Sequence, residues 1–143
     1  MKRLIGLLVV LFIVSSSQVF AQEKAKHKGP AGGFILGEVE IMGTLIHVEV
    51  SKQDLAGTYT WSDAIQACKD SREGGFSNWI LPSKEVLNLM YQNSDKIGGF
   101  ASYWFWSSSE TSGNFAWYQD FNNGNQPYDF KDYHYTVRCV RAF

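Results

Sequence analysis

Three groups of residues carry side chains capable of chemistry, and each can be weighed against what that chemistry needs. Asp132 and His134, one residue apart, could share a metal ion, but two ligands of mixed type fall short of a zinc set. Asp120, Asp129 and Asp132 are scattered carboxylates, whereas calcium wants about six to eight oxygens held together. Ser107, Ser108 and Ser109 precede Glu110, yet no Gly-x-Ser-x-Gly elbow surrounds them and His134 has no identifiable partner for a triad. Hydroxyls that satisfy a strand end are the simpler reading of those serines. No catalytic residue, cofactor or metal is therefore expected, and an enzyme whose site the sequence does not display stays as the competing class.

Beyond these three stands a concentration of aromatic and amide side chains. Thirteen of the chain's 22 Phe, Trp and Tyr residues fall between Tyr103 and Phe143, more than the core of so short a chain requires. From Tyr118 to Tyr135 they interleave with Asn, Asp, Gly, Gln and His. In such mixtures Tyr supplies rigid amphipathic area and Asn and Asp supply adaptable hydrogen bonds, so the stretch reads as a binding surface. The expected ligand contacts are Tyr118, Asp120, Asn122, Asn123, Asn125, Gln126, Tyr128, Asp129, Tyr133 and Tyr135. Tyr118, Tyr128, Tyr133 and Tyr135 are expected to be exposed, and Trp104, Trp106 and Trp117 to lie in the core. Arg138 and Arg141 either reach an anionic group on a ligand or pair with a local acid.

Holding that surface requires a sheet and something packed on it. Asn114 to Phe121 alternates, with Phe115, Trp117, Gln119 and Phe121 on one face and Ala116, Tyr118 and Asp120 on the other. Asn123-Gly124 then predicts a type I′ hairpin turn into Gln126 to Phe130, an edge or irregular strand because Pro127 has no N–H to donate. Tyr103 to Ser107 and Thr136 to Ala142 are further strands, and Phe34 to Glu40 pairs with Thr44 to Val50 across Met42-Gly43. His47, between Ile46 and Val48, reads as structural. Thr60-x-x-Asp63 caps a helix whose Trp61, Ala64, Ile65 and Cys68 share one face, stopped by Gly74-Gly75. Ser83 caps a second, with Val86, Leu87, Met90 and Tyr91 inward and its end near Asn93. The class is α+β, with two helices packed on a small twisted antiparallel sheet.

The ends and the charge bound the setting. Residues 1–21 have the form of a signal peptide: Lys2 and Arg3, the apolar run Leu4 to Val14, and Val19-Phe20-Ala21 before the cleavage point, with an uncleaved anchor as the alternative. Residues 22–33 read as a flexible leader, whose Lys24, Lys26 and Lys28 are either solvated or touch an anionic surface. Residues 34–143 are the domain. Without the first 21 residues the chain carries 11 Lys and Arg against 14 Asp and Glu, a balance that does not point to nucleic acid. In an exported chain Cys68 and Cys139 pair by default, with two free thiols as the alternative. Their bridge closes a loop worth about 4 kcal/mol in the chain-entropy picture.

The runs YTWSDAIQAC, GGFSNWILPSKEVLNLMYQN, IGGF, YWFWSSSE, AWYQDFNNGNQ and VRCVRAF together resemble a bacterial domain family of originally unknown function, the Lcl C-terminal-domain family. The resemblance covers about residues 34–143 and implies a C-type-lectin-like fold, related to that of formylglycine-generating enzymes. It also implies that Cys68 and Cys139 occupy the places of the long-range bridge of lectin-like domains. A calcium-dependent sugar site of the lectin kind does not follow, because Gln126-Pro127-Tyr128-Asp129 has one residue too many and no Trp-Asn-Asp follows it. A paired-cysteine oxidase would need a third Cys, which the chain lacks. The expected function is a secreted, periplasmic or cell-surface, non-enzymatic module that binds glycans or surface proteins through its C-terminal hairpin, with no stable membrane insertion once the signal is removed. A structural component of the cell envelope, or a ligand-binding protein diversified by a retroelement in Asn122 to Tyr135, are the alternatives.

Overall fold

A computed structural model describes residues 27–41 and 43–143; the expected signal peptide and residues 22–26 lie outside the described residues. In chain order the elements are β1 (Phe34–Ile41), β2 (Thr44–Val50), α1 (Trp61–Asp70), a 3-10 turn (Glu73–Gly75), α2 (Lys84–Gln92), the single-turn α3 (Ser94–Ile97), β3 (Trp104–Ser112), β4 (Phe115–Asp120), β5 (Tyr128–Phe130) and β6 (Val140–Ala142). The α+β class holds, but the expected single sheet is two antiparallel sheets of three strands, ordered β1-β2-β6 and β3-β4-β5. The reason lies in residues 135–142. Thr136 exchanges backbone hydrogen bonds with β3 at Trp104 and Trp106, then the chain leaves that sheet and β6 pairs with β2, Val140 opposite Val50. The predicted last strand is thus shared between two sheets, and only its final three residues are ladder.

The helices form as their caps dictate. The Thr60 hydroxyl accepts from the Asp63 N–H and donates to its carboxylate, and Ala64 and Cys68 are buried beneath it. That helix ends at Asp70 with Ser71 as its cap, earlier than the predicted glycine stop. Gly74 and Gly75 sit in the 3-10 turn that follows. Gly74 is required there for another reason: its φ is +64°, and a Cβ would lie 2.5 Å from the Ala31 Cα. In α2 the Ser83 hydroxyl accepts from the Val86 N–H, and Val86, Leu87 and Met90 are buried. No helix among the described residues is long and apolar enough to cross a membrane.

Two apolar clusters result. One gathers Ala64, Cys68, Trp79, Trp106, Val137 and Cys139 between α1 and the C-terminal segment. The other gathers Val50, Leu87, Met90, Phe105 and Val140 between α2 and both sheets. Cys68 and Cys139 are disulfide-bonded, with Cα atoms 5.6 Å apart, fastening α1 to the approach of β6.

A polar knot sits beside these clusters. Glu49 on β2 is fully buried; its carboxylate accepts from the Arg141 Nε at 2.8 Å and from the Ala31 and Gly33 N–H groups. Residues 27–33, expected to be the end of a flexible leader, are therefore a turn docked on β2, with Ala31 buried. Replacing Glu49 by Ala leaves the Arg141 guanidinium buried and unpaired and two N–H groups without an acceptor. We predict a loss of about 3–5 kcal/mol in the free energy of unfolding, read from urea denaturation midpoints.

Candidate functional site

The pleat of the second sheet sorts its aromatic residues onto two faces. In the β4–β5 pairing Phe115 lies opposite Phe130 and Trp117 opposite Tyr128, so these four rings share one face. They touch in sequence: Phe115–Phe130 at 4.4 Å between centroids, Phe115–Tyr128 at 5.8 Å, Trp117–Tyr128 at 5.4 Å, and Tyr133 joins Phe130 at 6.0 Å. Tyr128, Phe130 and Tyr133 are 56%, 48% and 51% exposed, and Phe115 and Trp117 are half-buried. Helix α2 runs along this face from Lys84, whose ammonium stands 3.5 Å over the Trp117 ring, to Tyr91, which meets Phe121 edge-on. Phe115 and Phe130 lie beyond the first turn of the helix. The result is a ladder of five rings that α2 leaves open, with one cation at its end.

The opposite face is turned inward. Ala116 is buried there, and Tyr118 and Tyr135 pack on the buried Trp106, their own rings 4.7 Å apart. The Tyr135 hydroxyl donates to the Asp129 carboxylate at 2.7 Å. Tyr118 and Tyr135 are thus half-buried, against the expectation that they be exposed, because the alternation that brings Trp117 out takes Tyr118 in. The tryptophans divide as well: Trp106 is core, Trp117 belongs to the open ladder, and Trp104 is 51% exposed, correcting its expected place inside.

Most of the expected polar contacts hold the β4–β5 loop. Asp120 accepts from the Asn122 N–H and the Asn123 side-chain amide, and Asn123 accepts from the Asn125 N–H. The Gly124 N–H returns to the Asp120 carbonyl, so the predicted two-residue turn is a seven-residue loop, 121–127, in which only the glycine of the pair is needed for its φ of +81°. The Gln126 amide donates to the Lys84 carbonyl at 2.7 Å and ties the loop to the start of α2. Asn122, Asn123 and Asn125 remain exposed at the rim. Of the ten expected contacts, then, Tyr128 and Tyr133 stand on the ladder, three asparagines border it, and the rest are engaged within the fold. Sequence reading had placed Phe115 and Trp117 on a common face but taken the tryptophan as interior, and it passed over Phe130 and Lys84. Pairing the two strands through their loop sets Phe130 beside Phe115 and Trp117, whereas Lys84, on a separate helix, carries no such signal.

Arg138 and Arg141 both pair with acids of the fold that lie far off in sequence, Asp54 at 3.0 Å and Glu49 at 2.8 Å. Asp132 and His134 are exposed, and no group of three or more His, Cys, Asp or Glu side chains among the described residues could hold a metal ion.

Two phenols are electrostatically marked. Burial raises the Tyr118 pKa first, helped by the negative charges of Asp129 and Asp120 and opposed by its hydrogen bond with Tyr135. Burial likewise raises Tyr135, followed by its hydrogen bond to Asp129 and that carboxylate's charge. Since the folded state holds both protons more tightly than the unfolded chain, the stability they contribute is complete below pH 10 and is lost as pH rises through the folded values. Absorbance titration at 295 nm should show two phenols ionising later than free tyrosine, each removed by Tyr118→Phe or Tyr135→Phe. In thermal or urea unfolding, Tyr128→Ala and Tyr133→Ala should each cost less than about 1 kcal/mol. Trp106→Ala should cost about 3–5 kcal/mol.

A family profile for the Lcl C-terminal domain matches residues 44–141, from the start of β2 into β6. No curated protein matches the chain.

Proposed function

The chain belongs to the Lcl C-terminal domain family, and from that premise we propose that it is a non-enzymatic binding module of an extracytoplasmic space, lectin-like in architecture, that captures a surface glycan. The observation that carries this reading is the open ladder of Phe115, Trp117, Tyr128, Phe130 and Tyr133. A contiguous run of exposed rings is uncommon on a protein surface without a partner. Pyranose rings present C–H groups on their faces, which stack on aromatic rings, and hydroxyls at their edges, which need donors and acceptors. Lys84 and the exposed amides of Asn122 and Asn125 supply those beside the rings. The disulfide supports an oxidising compartment. A surface protein is the second reading, favoured by β5, an edge strand of three residues onto which an extended segment could pair.

Screening residues 27–143 against immobilised glycans should return a hit that Tyr128→Ala with Phe130→Ala weakens by at least about 30-fold, the range of aromatic hot spots. Tyr118→Phe, on the inner face, should leave capture unchanged. Glycan capture that survives the double substitution would place the binding surface elsewhere.

A further inference from the structure

A second surface, separate in composition from the aromatic ladder, is a cavity of about 350 Å³ where the N-terminal turn meets β2 and α3. It is lined by Lys28, Lys52 and Lys96, with His27 and Phe34 stacked together as one wall and Arg138 behind. Two of the lysines converge on Gly32: a Cβ there would lie 3.0 Å from the Lys52 Nζ and 3.6 Å from the Lys28 Cε. Among the described residues none of the three ammonium groups has an ion-pair partner. The nearby carboxylates are otherwise engaged: Glu73 accepts the Lys52 backbone N–H at 2.7 Å, Asp54 pairs with Arg138, and Glu49 pairs with Arg141.

Arg138 supplies neither a ligand contact nor net charge, because Asp54 pairs with it. All five of its N–H groups are spent within the fold, on the carbonyls of Ser51, Lys52, Gly98 and Gly99 and on the Asp54 carboxylate. It therefore anchors the backbone on which Lys52 sits and leaves the lysines to meet a ligand. Three point charges around a concave, open space suit a compact anion, and Lys is the side chain that binds phosphate as a point charge. The charge count selects among anions: a sulfate ester or carboxylate brings one negative charge, whereas a phosphomonoester brings about 1.5 to 2 at neutral pH with three acceptor oxygens.

We infer that this cavity is a binding site for a phosphomonoester group, carried by a soluble or polymeric molecule or by a lipid headgroup. The test is calorimetric titration of the full chain with inorganic phosphate and with glucose 6-phosphate, against the singly charged sulfate ester glucose 6-sulfate at matched ionic strength, alongside flotation with vesicles containing phosphatidic acid. The expected result is saturable binding of a phosphate species, at least several-fold tighter than the sulfate ester. Lys52→Ala with Lys96→Ala should weaken it at least tenfold, and Lys69→Ala, on the exposed end of α1, should leave it unchanged. Binding confined to vesicles and lost in the double variant assigns the lipid source; binding of the soluble esters assigns the other. No binding in any arm, sulfate-ester binding equal to phosphate, or equal loss in Lys69→Ala overturns the proposal.

Discussion

The buried pair of Glu49 and Arg141 is the constraint from which the arrangement of the chain follows. A buried carboxylate near the end of β2, the middle strand of its sheet, cannot be left without partners, and the three groups that satisfy it come from widely separated segments: the turn at residues 29–33 and the strand β6. Arg141 is held in turn by rings. Its guanidinium lies 3.8 Å from the Phe76 centroid and 5.0 Å from Phe143, and its Nη2, without a hydrogen-bond partner among the described residues, is compensated by these faces. Satisfying one charge therefore fixes the order β1-β2-β6 and docks the N-terminal turn, whose close approach requires glycine at Gly33 and Gly74.

The same logic operates a few residues away at Arg138. Its fork closes the 51–54 loop onto the 98–99 turn, and burial pulls its guanidinium pKa down while the hydrogen bond and charge of Asp54 push it back up. Between them the two arginines turn residues 136–141, every one buried, into the seam where both sheets and α1 meet. The aromatic ladder is free to be open because stability is secured elsewhere. Its half-buried members, Phe115 and Trp117, carry Tyr128 and Phe130, and Tyr133 rests on Phe130.

Much of this was legible in the sequence where a local rule acts alone. Thr60 and Ser83 announce their helices because a hydroxyl at that position has one use, and the apolar spacing of Val86, Leu87 and Met90 names its buried face. The pairing of β1 with β2, and of Cys68 with Cys139, needed only short-range alternation and a compartment argument. What failed was whatever depended on distant partners. Nothing near Thr136 says that the chain will change sheets after it, since that is decided by Val50 and Glu49 some 90 residues earlier. Trp104 and Trp117 alternate as core residues do, and whether a ring is covered depends on what distant element packs on its face of the sheet. The asparagines and Asp120 were read as ligand contacts from their type, yet a loop of seven residues needs hydrogen bonds of its own and takes most of them.

The seam at residues 136–141 also sets when the molecule can become itself. β2 has no second neighbour until β6 arrives, the disulfide has no second sulfur, and Leu55, Tyr59 and Ile80 wait for backbone partners at Val137, Tyr135 and Val140. Such non-local closure makes folding slow relative to a chain of local contacts. A nascent or threaded polypeptide that lacks this seam holds every ring of the ladder and almost none of the framework that orients them, so acquisition of a native shape is deferred to a single late event, and the chain stays pliable until then.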